Sequence, residues 1–370
     1  MFIKTLKLES FRNYEQLNSE FSNYTNIFIG KNAQGKTSIL ESLYILGLTK
    51  SHKVNKDRDV VKIGAQYSKI SSLINLNGKD IELDIVISKV GKKAKYNQIE
   101  LEKLSEYIGI LNVVMFAPED LDLIKGNPQT RRKFLDLEIG QISKSYLYSL
   151  QNYKKVLKQR NDLLKSMQNS KEKDMLLLDI LTDQLISYLE EVVKDRREFL
   201  IKINKYTNEI YKKLSNLNDN LVVKYLPSVE SNYKKEFVSK YKYDIITGTT
   251  NIGAHRDDIE FYLKDNYVKT HGSQGEMRTA VLSVKLALID FIFDYKNDYP
   301  VLLLDDVLSE LDEDRQNNLI DYIQNKTQTF ITSTEIKSIN LTKIKDYKIF
   351  KIENGLIKES ENNEWKLWFK

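Results

Sequence analysis

No stretch constrains this chain more than Gly30-Lys31-Asn32-Ala33-Gln34-Gly35-Lys36-Thr37, a complete G-x-x-x-x-G-K-[ST] pattern. Before it comes Tyr24-Thr25-Asn26-Ile27-Phe28-Ile29, a short apolar run that reads as a buried strand. After it, Ser38 to Leu46 places apolar residues at helical spacing. Strand, glycine-rich turn and helix are the context that makes such a pattern a phosphate cradle. The two glycines let the backbone wrap close to the phosphates, with successive N–H groups pointing inward. The N-terminus of the helix adds its positive dipole end. Lys36 is expected to reach the β- and γ-phosphates, and Thr37 to hold Mg²⁺ through its hydroxyl. The competing reading is a glycine turn that happens to spell the motif; the flanking strand and helix argue against it.

Composition narrows the class. The 370 residues give room for two or three domains, or one large domain with an insertion. At 41% hydrophobic and 29% charged, the chain can bury a sizeable core as a soluble protein. It has four prolines and no Gly/Ser-rich stretch, so a second domain is expected to be inserted through ordinary secondary structure and not tethered. No run of 18 apolar residues occurs, so no membrane span is expected. Met1 to Leu6 reads as a first strand without signal-peptide architecture. Zero cysteines exclude disulfides and thiolate metal sites and fit a cytoplasmic location. The net charge of +5, from 57 basic and 52 acidic residues, is weak evidence for a polyanionic partner.

Residues 2–9 alternate as a half-buried strand does, and Phe11-Arg12-Asn13-Tyr14 is a turn into another extended stretch. Lys50 to Arg58 is a basic segment that either touches nucleotide or DNA or is a solvated loop. Residues 60–103 read as an antiparallel meander, with Val60-Val61 strand-like and Asn77-Gly78 a hairpin turn. Asn112 to Phe116 is a buried strand stopped by Pro118. Pro128 suits the first turn of a helix carrying Arg131 and Arg132, which fit structural ion pairs better than phosphate contacts.

From about 130 to 214 nearly everything is helical. Tyr146, Leu150, Tyr153, Leu157 and Leu164, then Leu178, Leu181, Leu185, Tyr188 and Val192, flank a polar break at 168–173. That pattern predicts a helical hairpin with arms of about 24 residues, roughly 35 Å each. Lys154, Lys155, Lys158, Arg160 and Lys165, then Lys194, Arg196 and Arg197, are expected on its outer face. They are either solvated charges or a DNA-facing surface. Residues 215–245 are polar and uninformative. His255, Arg256, Asp257, Asp258 and Glu260 fit an ion-pair turn better than a metal site.

Ser273-Gln274-Gly275-Glu276 opens an amphipathic helix. Val301-Leu302-Leu303-Leu304-Asp305-Asp306 is a buried parallel strand ending in two carboxylates, and ligands gather at such strand ends. Asp305 is expected to hold Mg²⁺ through its water shell and Asp306 to orient or deprotonate the attacking water. Gln328 to Thr334 is a further core strand ending in hydroxyls that either sense a γ-phosphate or cap the next turn.

This order resembles the head of ABC-type ATPases, particularly their SMC-like branch. Phe11 to Tyr14, Gly30 to Thr37, Phe116 to Leu121, Gly126-x-Pro128-x-x-Arg131-Arg132, Gly253-x-His255-Arg256-Asp257-Asp258, Ser273-Gln274-Gly275 and Leu302 to Asp312 resemble the RecF family, across roughly residues 1–357. The resemblance implies ATP and Mg²⁺ as cofactors and Ser273, Gln274 and Gly275 closing over phosphates on another copy, hence an ATP-dependent homodimer. It also implies single-stranded, gapped or junction DNA as substrate, and RecO and RecR as partners in loading recombinase during replication, repair and the SOS response. Glu276-Met277 and Ala254 depart from the family's more usual glutamines and proline. Asp306, one methylene shorter than the glutamate of most ABC ATPases, implies slow hydrolysis.

The expected architecture is α/β: an ATPase head from 1–124 and 246–357, an antiparallel β-lobe near 60–103, an inserted helical arm at 125–245, and a tail at 358–370 bearing Trp365, Trp368 and Phe369. The competing classes are a transporter-type ATPase subunit, which the long arm between Thr37 and Ser273 argues against, and an interaction protein that does not hydrolyse ATP.

Overall fold

Continuous apolar runs become the inner strands of a parallel sheet, and alternating runs become an antiparallel lobe. The computed structural model of the chain describes residues 1–336 and 339–360. These form two compact units. Trp365, Trp368 and Phe369 lie outside the described residues.

The first unit takes in Met1–Asp120, Glu209–Asn218 and the described residues from Leu282 onward. Its six-stranded sheet runs in the order Leu356–Ser360, Tyr347–Glu353, Thr25–Ile29, Thr329–Ser333, Val301–Asp305, Val113–Phe116. All pairings are parallel except at the Leu356–Ser360 edge. Val301 to Leu304 are fully buried, as a strand covered on both faces requires. Asp305 pairs with Thr332, and Ser333 with Ile29. The register therefore brings the carboxylates, the hydroxyls and the end of the phosphate-loop strand to one edge of the sheet.

The second sheet of this unit has seven strands, all antiparallel. It joins Tyr14–Glu20, Thr5–Phe11, Tyr67–Leu76, Lys79–Ser88, Gly91–Tyr96 and Ile99–Glu100, with Phe2–Ile3 also paired to Tyr67–Leu76. The meander thus extends to the N-terminal strands, a long-range pairing that local alternation does not reveal. Val60-Val61 is not a strand: Asp57–Val60 is a 3₁₀ turn, and Val61 makes a single bridge to Phe11. Leu6, Leu8, Ile70, Leu83 and Ile85 of the lobe share one core with Phe28, Leu303, Phe330 and Phe350 of the parallel sheet. Phe21 sits edge-on to Phe330, with centroids 4.9 Å apart.

The second unit takes in Leu121–Asn208 and Asp219–Val281. Two of its helices start on capping side chains: Asn127 accepts from the Thr130 N–H with Pro128 in the first turn, as the sequence suggests for Pro128, and Ser143 accepts from the Tyr146 N–H. The hairpin helices are Lys144–Asn169 and Met175–Ser215, of 26 and 41 residues, so the second is longer than the even arms expected, and its part from Glu209 on is assigned to the first unit. Tyr146, Leu150, Tyr153, Leu164, Leu178, Leu185 and Val192 are buried. The uninformative stretch holds a strand, Leu221–Leu226, and a helix, Tyr233–Thr247. The strand pairs with Asp258–Leu263, which in turn pairs with Asn266–Tyr267. Among the described residues no helix is long and apolar enough to cross a membrane.

Candidate nucleotide site

Both motif glycines are required by their surroundings. A Cβ on Gly30 would stand 2.4 Å from the Ile352 carbonyl oxygen. Gly35 has φ +113°, and a Cβ there would meet the Tyr14 hydroxyl at 2.6 Å and the Asn13 amide at 2.8 Å. The helix Lys36–Leu48 starts on Gly35 without a side-chain cap, so its first N–H groups remain open to an anion. Lys31, Asn32 and Ala33 are exposed along the loop. Gln34 fixes the loop from behind: its carbonyl accepts from the Asn13 side chain and the Gly355 N–H, and its side chain accepts from the Asn354 N–H.

Lys36 Nζ donates to the Gly30 and Lys31 carbonyls at 2.6 and 3.1 Å. Burial pulls its pKa below the ordinary lysine value, and Asp306 and then Asp305 partly offset that. Thr37 Oγ1 donates to Asp305 Oδ1 at 2.9 Å, although 268 residues separate the two. Asp305 is buried, and burial raises its pKa against the hydrogen bonds from Thr332 and Thr37. Asp306 has φ +54°, a left-handed conformation unusual for a residue with a Cβ. It lines a cleft of about 670 Å³ together with Asn32, Ala33, Gly35, Lys36, Thr37 and Ser38.

These residues fit a nucleoside triphosphate with Mg²⁺. The glycine-lined loop has no room for a Cβ, a lysine lies at its centre, and a hydroxyl and a carboxylate oxygen meet at its exit as hard-cation ligands.

Arg12 and Tyr14 are contributors to the cleft that the sequence marks only as part of a turn, whereas Lys53 comes from the basic segment offered as a nucleotide or DNA contact. Arg12 forms a two-pronged pair with buried Glu41, at 2.8 and 2.6 Å, and lines the cleft. The Tyr14 hydroxyl donates to the Gly35 carbonyl at 3.1 Å. Thus the Phe11–Tyr14 turn braces the phosphate loop. Lys53, from the basic segment, lies 3.8 Å from Asp305 Oδ2 and also lines the cleft. Asn13, Asp59, Val61, Lys62 and Ile63 also line it, Ile63 being fully exposed. The only sequence signal for Arg12 was its membership in a turn motif.

Ser273, Gln274 and Gly275 belong to the second unit, at the start of the helix Gln274–Lys296. Ser273 and Gln274 are exposed. Ser273 donates through both its N–H and its hydroxyl to Glu276 Oε2, each at 2.8 Å, and the Glu276 N–H returns a bond to Ser273 Oγ at 3.2 Å. This is a reciprocal capping box. It holds the Glu276 pKa below its usual value. Glu276 therefore engages both donors of the serine.

The basic arm face divides. Lys154, Lys155 and Lys158 are exposed, as are Lys165, Lys194 and Arg197. Lys154 reaches Asp136 at 3.0 Å. Arg160 does not lie on the outer face: it is fully buried, paired with Asp244 at 2.9 Å and bonded to Thr250 and Thr182. Arg196 is likewise buried, between Asp136 and Asp257. The Asp257–Asp258 turn is an ion-pair turn. Asp258 takes both prongs of Arg131 at 2.6 and 2.8 Å, and Asp257 also accepts from Tyr225. His255 Nε2 faces the Thr250 carbonyl at 2.9 Å, so it carries the proton, and Nδ1 accepts from the Tyr153 hydroxyl at 2.7 Å. Burial lowers its pKa to about 4.

Comparison with known proteins is consistent with this geometry. Residues 2–358 match the model of the RecF/RecN/SMC N-terminal domain. The chain is 44% identical over 368 residues to the DNA replication and repair protein RecF of Bacillus velezensis, covering 96% of this chain and 100% of that one. It is also 44% identical over 368 residues to the protein of the same name from Bacillus cereus, covering 96% and 98%. Among solved structures it resembles the recombination mediator protein RecF with ATP in the RecFOR pathway, with TM-score 0.90, 29% identity, and 97% and 98% of the two chains covered. A likeness to the Smc head bound to the C-winged-helix domain of ScpA, with TM-score 0.58 and 16% identity over 100% of each chain, is one of fold alone. The fold is that of an SMC-like ABC ATPase head.

Proposed function

The chain belongs to the RecF/RecN/SMC N-terminal domain family, and on that premise we propose that it is an ATP-dependent DNA-binding protein of DNA replication and recombinational repair. The observation that carries this reading is the bond between Thr37 and Asp305, which joins the phosphate loop and the carboxylate strand in one cleft with Asp306 at its wall. Lys36 would turn its ammonium from the Gly30 and Lys31 carbonyls to the β- and γ-phosphates. Thr37 and Asp305 would hold Mg²⁺, which when bound neutralises phosphate charge. Asp306 would orient or deprotonate the attacking water; its short side chain reaches poorly and favours slow turnover, below about 10 per second. The residues that line the cleft belong to the first unit. As the family resemblance implies, Ser273, Gln274 and Gly275 would act on ATP held by a second copy, making the ATP-bound state a homodimer.

The exposed Lys154, Lys155, Lys158, Lys165, Lys194 and Arg197 offer phosphate-binding charge on the arm. The substrate would be single-stranded, gapped or junction DNA in the cytoplasm, with RecO and RecR as partners in recombinase loading and a link to the SOS response. A second reading, a nucleotide-gated interaction protein without significant hydrolysis, draws on the short Asp306 side chain held in a left-handed conformation.

The test is gapped-DNA binding with ATP, ADP and no nucleotide, on the wild type, Lys36→Met and Asp306→Asn. ATP should strengthen DNA binding of the wild type, Lys36→Met should lose that response, and Asp306→Asn should prolong it. DNA binding indifferent to nucleotide in all three proteins would refute the proposal.

A further inference from the structure

Thr332 lies one strand away from the carboxylates, in register with Asp305. A hydroxyl has one proton to give and two lone pairs to accept with. Thr332 gives its proton to Asp305 Oδ1 at 2.9 Å and accepts from the Asp306 N–H at 2.9 Å. It is fully buried and absent from the cleft lining. Its proton is thus committed to Asp305, which argues against a direct contact with a γ-phosphate. Ser333, next along, closes a local turn by donating to the Glu335 carbonyl and accepting from the Glu335 N–H. That is the capping alternative for this strand end.

We propose that Thr332 is a positioning residue that locks the two carboxylates of the nucleotide site to each other. The inference rests on the nucleotide reading of the cleft. Asp305 Oδ1 accepts from Thr37 as well as from Thr332, while Oδ2 faces Lys53 at 3.8 Å. When Thr37 turns its hydroxyl to a metal, Thr332 remains on Oδ1 and keeps the plane of the carboxylate. The same oxygen that holds Asp305 takes the backbone N–H of Asp306 at its left-handed φ. A left-handed residue with a Cβ stays there only when its surroundings fix it. Without Thr332, the Asp306 amide loses its partner and the backbone is free to relax. Its carboxylate then leaves the position from which it faces the cleft. One hydroxyl thus couples the residue that holds the metal to the residue that faces the water.

The experiment compares wild type, Thr332→Val, Thr332→Ser and Lys36→Met in equilibrium binding of a non-hydrolysable ATP analogue, titrated with Mg²⁺ and repeated in EDTA. Thr332→Val keeps the shape and removes the hydroxyl. It should need roughly tenfold more Mg²⁺ for half-maximal binding, the effect of one lost hydrogen bond to a charged group, with EDTA binding unchanged. Thr332→Ser should restore the wild-type midpoint. A wild-type Mg²⁺ midpoint in folded Thr332→Val, or failure of serine to rescue, would overturn the proposal. If the valine protein does not fold, Thr332→Ala against Thr332→Ser reads the same midpoint. Wild-type protein that binds no analogue, or binds it as Lys36→Met does, would overturn the nucleotide reading itself.

Discussion

The phosphate loop and the Ser273-Gln274-Gly275 helix start differ in how completely the chain frames them. Gly30 to Thr37 is braced by Ile352, Tyr14, Asn13, Asn354 and Asp305, all from elements distant in sequence. Ser273 has no such frame. It is exposed, and among the described residues its two donors are bonded to Glu276 alone, three residues along the chain. The first region is framed from several elements at once. The second is a set of donors held in check. A chain that builds half of its chemistry rigidly and leaves the other half open fits a site closed by another copy.

Substitutions sharpen that contrast. The largest effect is expected from Lys36→Met, which should weaken ATP binding about 100-fold or more by removing a charged donor from the phosphates, read by equilibrium binding. Arg160→Ala should cost about 3–5 kcal/mol of stability, because it strands the fully buried Asp244. Thermal unfolding would show this, and ATP binding to the remaining folded protein should be unchanged. Lys158→Ala, two residues away and exposed, should change stability by less than about 0.5 kcal/mol. It should weaken DNA binding modestly and flatten its salt dependence. Equal stability losses for the two arm variants would erase the distinction between buried and exposed charge.

Smaller still, Glu276→Gln preserves the capping box, which glutamine also supports, but removes the charge. ATP-driven dimerisation should tighten a few-fold in sedimentation; weakening would mean that Glu276 supports closure. His255 gives a pH test. Its folded pKa of about 4 lies below its unfolded value, so its stabilisation is present above about 6.5 and is lost as pH falls toward 4. The unfolding midpoint should drop across that window in the wild type and less so in His255→Gln.

The parts of the site written contiguously were legible in the sequence. Gly30 to Thr37 and Leu302 to Asp306 carry their chemistry and their secondary structure in one short run each. Arg12 with Glu41, Lys53 with Asp305, and Thr332 with both carboxylates were not legible as pairs, because pairing across tens or hundreds of residues leaves no local period. The N-terminal strands joined the lobe for the same reason. Arg160 and Arg196 are different, because their signal was present. Arg160 falls seven residues after Tyr153 and four before Leu164, and Arg196 four after Val192, all on the buried stripe. Their charge suggests the surface, but the buried acids at Asp244 and Asp257 offset the cost of placing it inside.

The central claim, a site divided between two copies, is tested most directly by sedimentation of wild type and Ser273→Arg with ATP, alongside a measurement of bound nucleotide. The wild type should be a dimer with ATP and a monomer with ADP. Ser273→Arg should bind ATP as well as the wild type and remain a monomer. A Ser273→Arg protein that still dimerises with ATP would contradict the account.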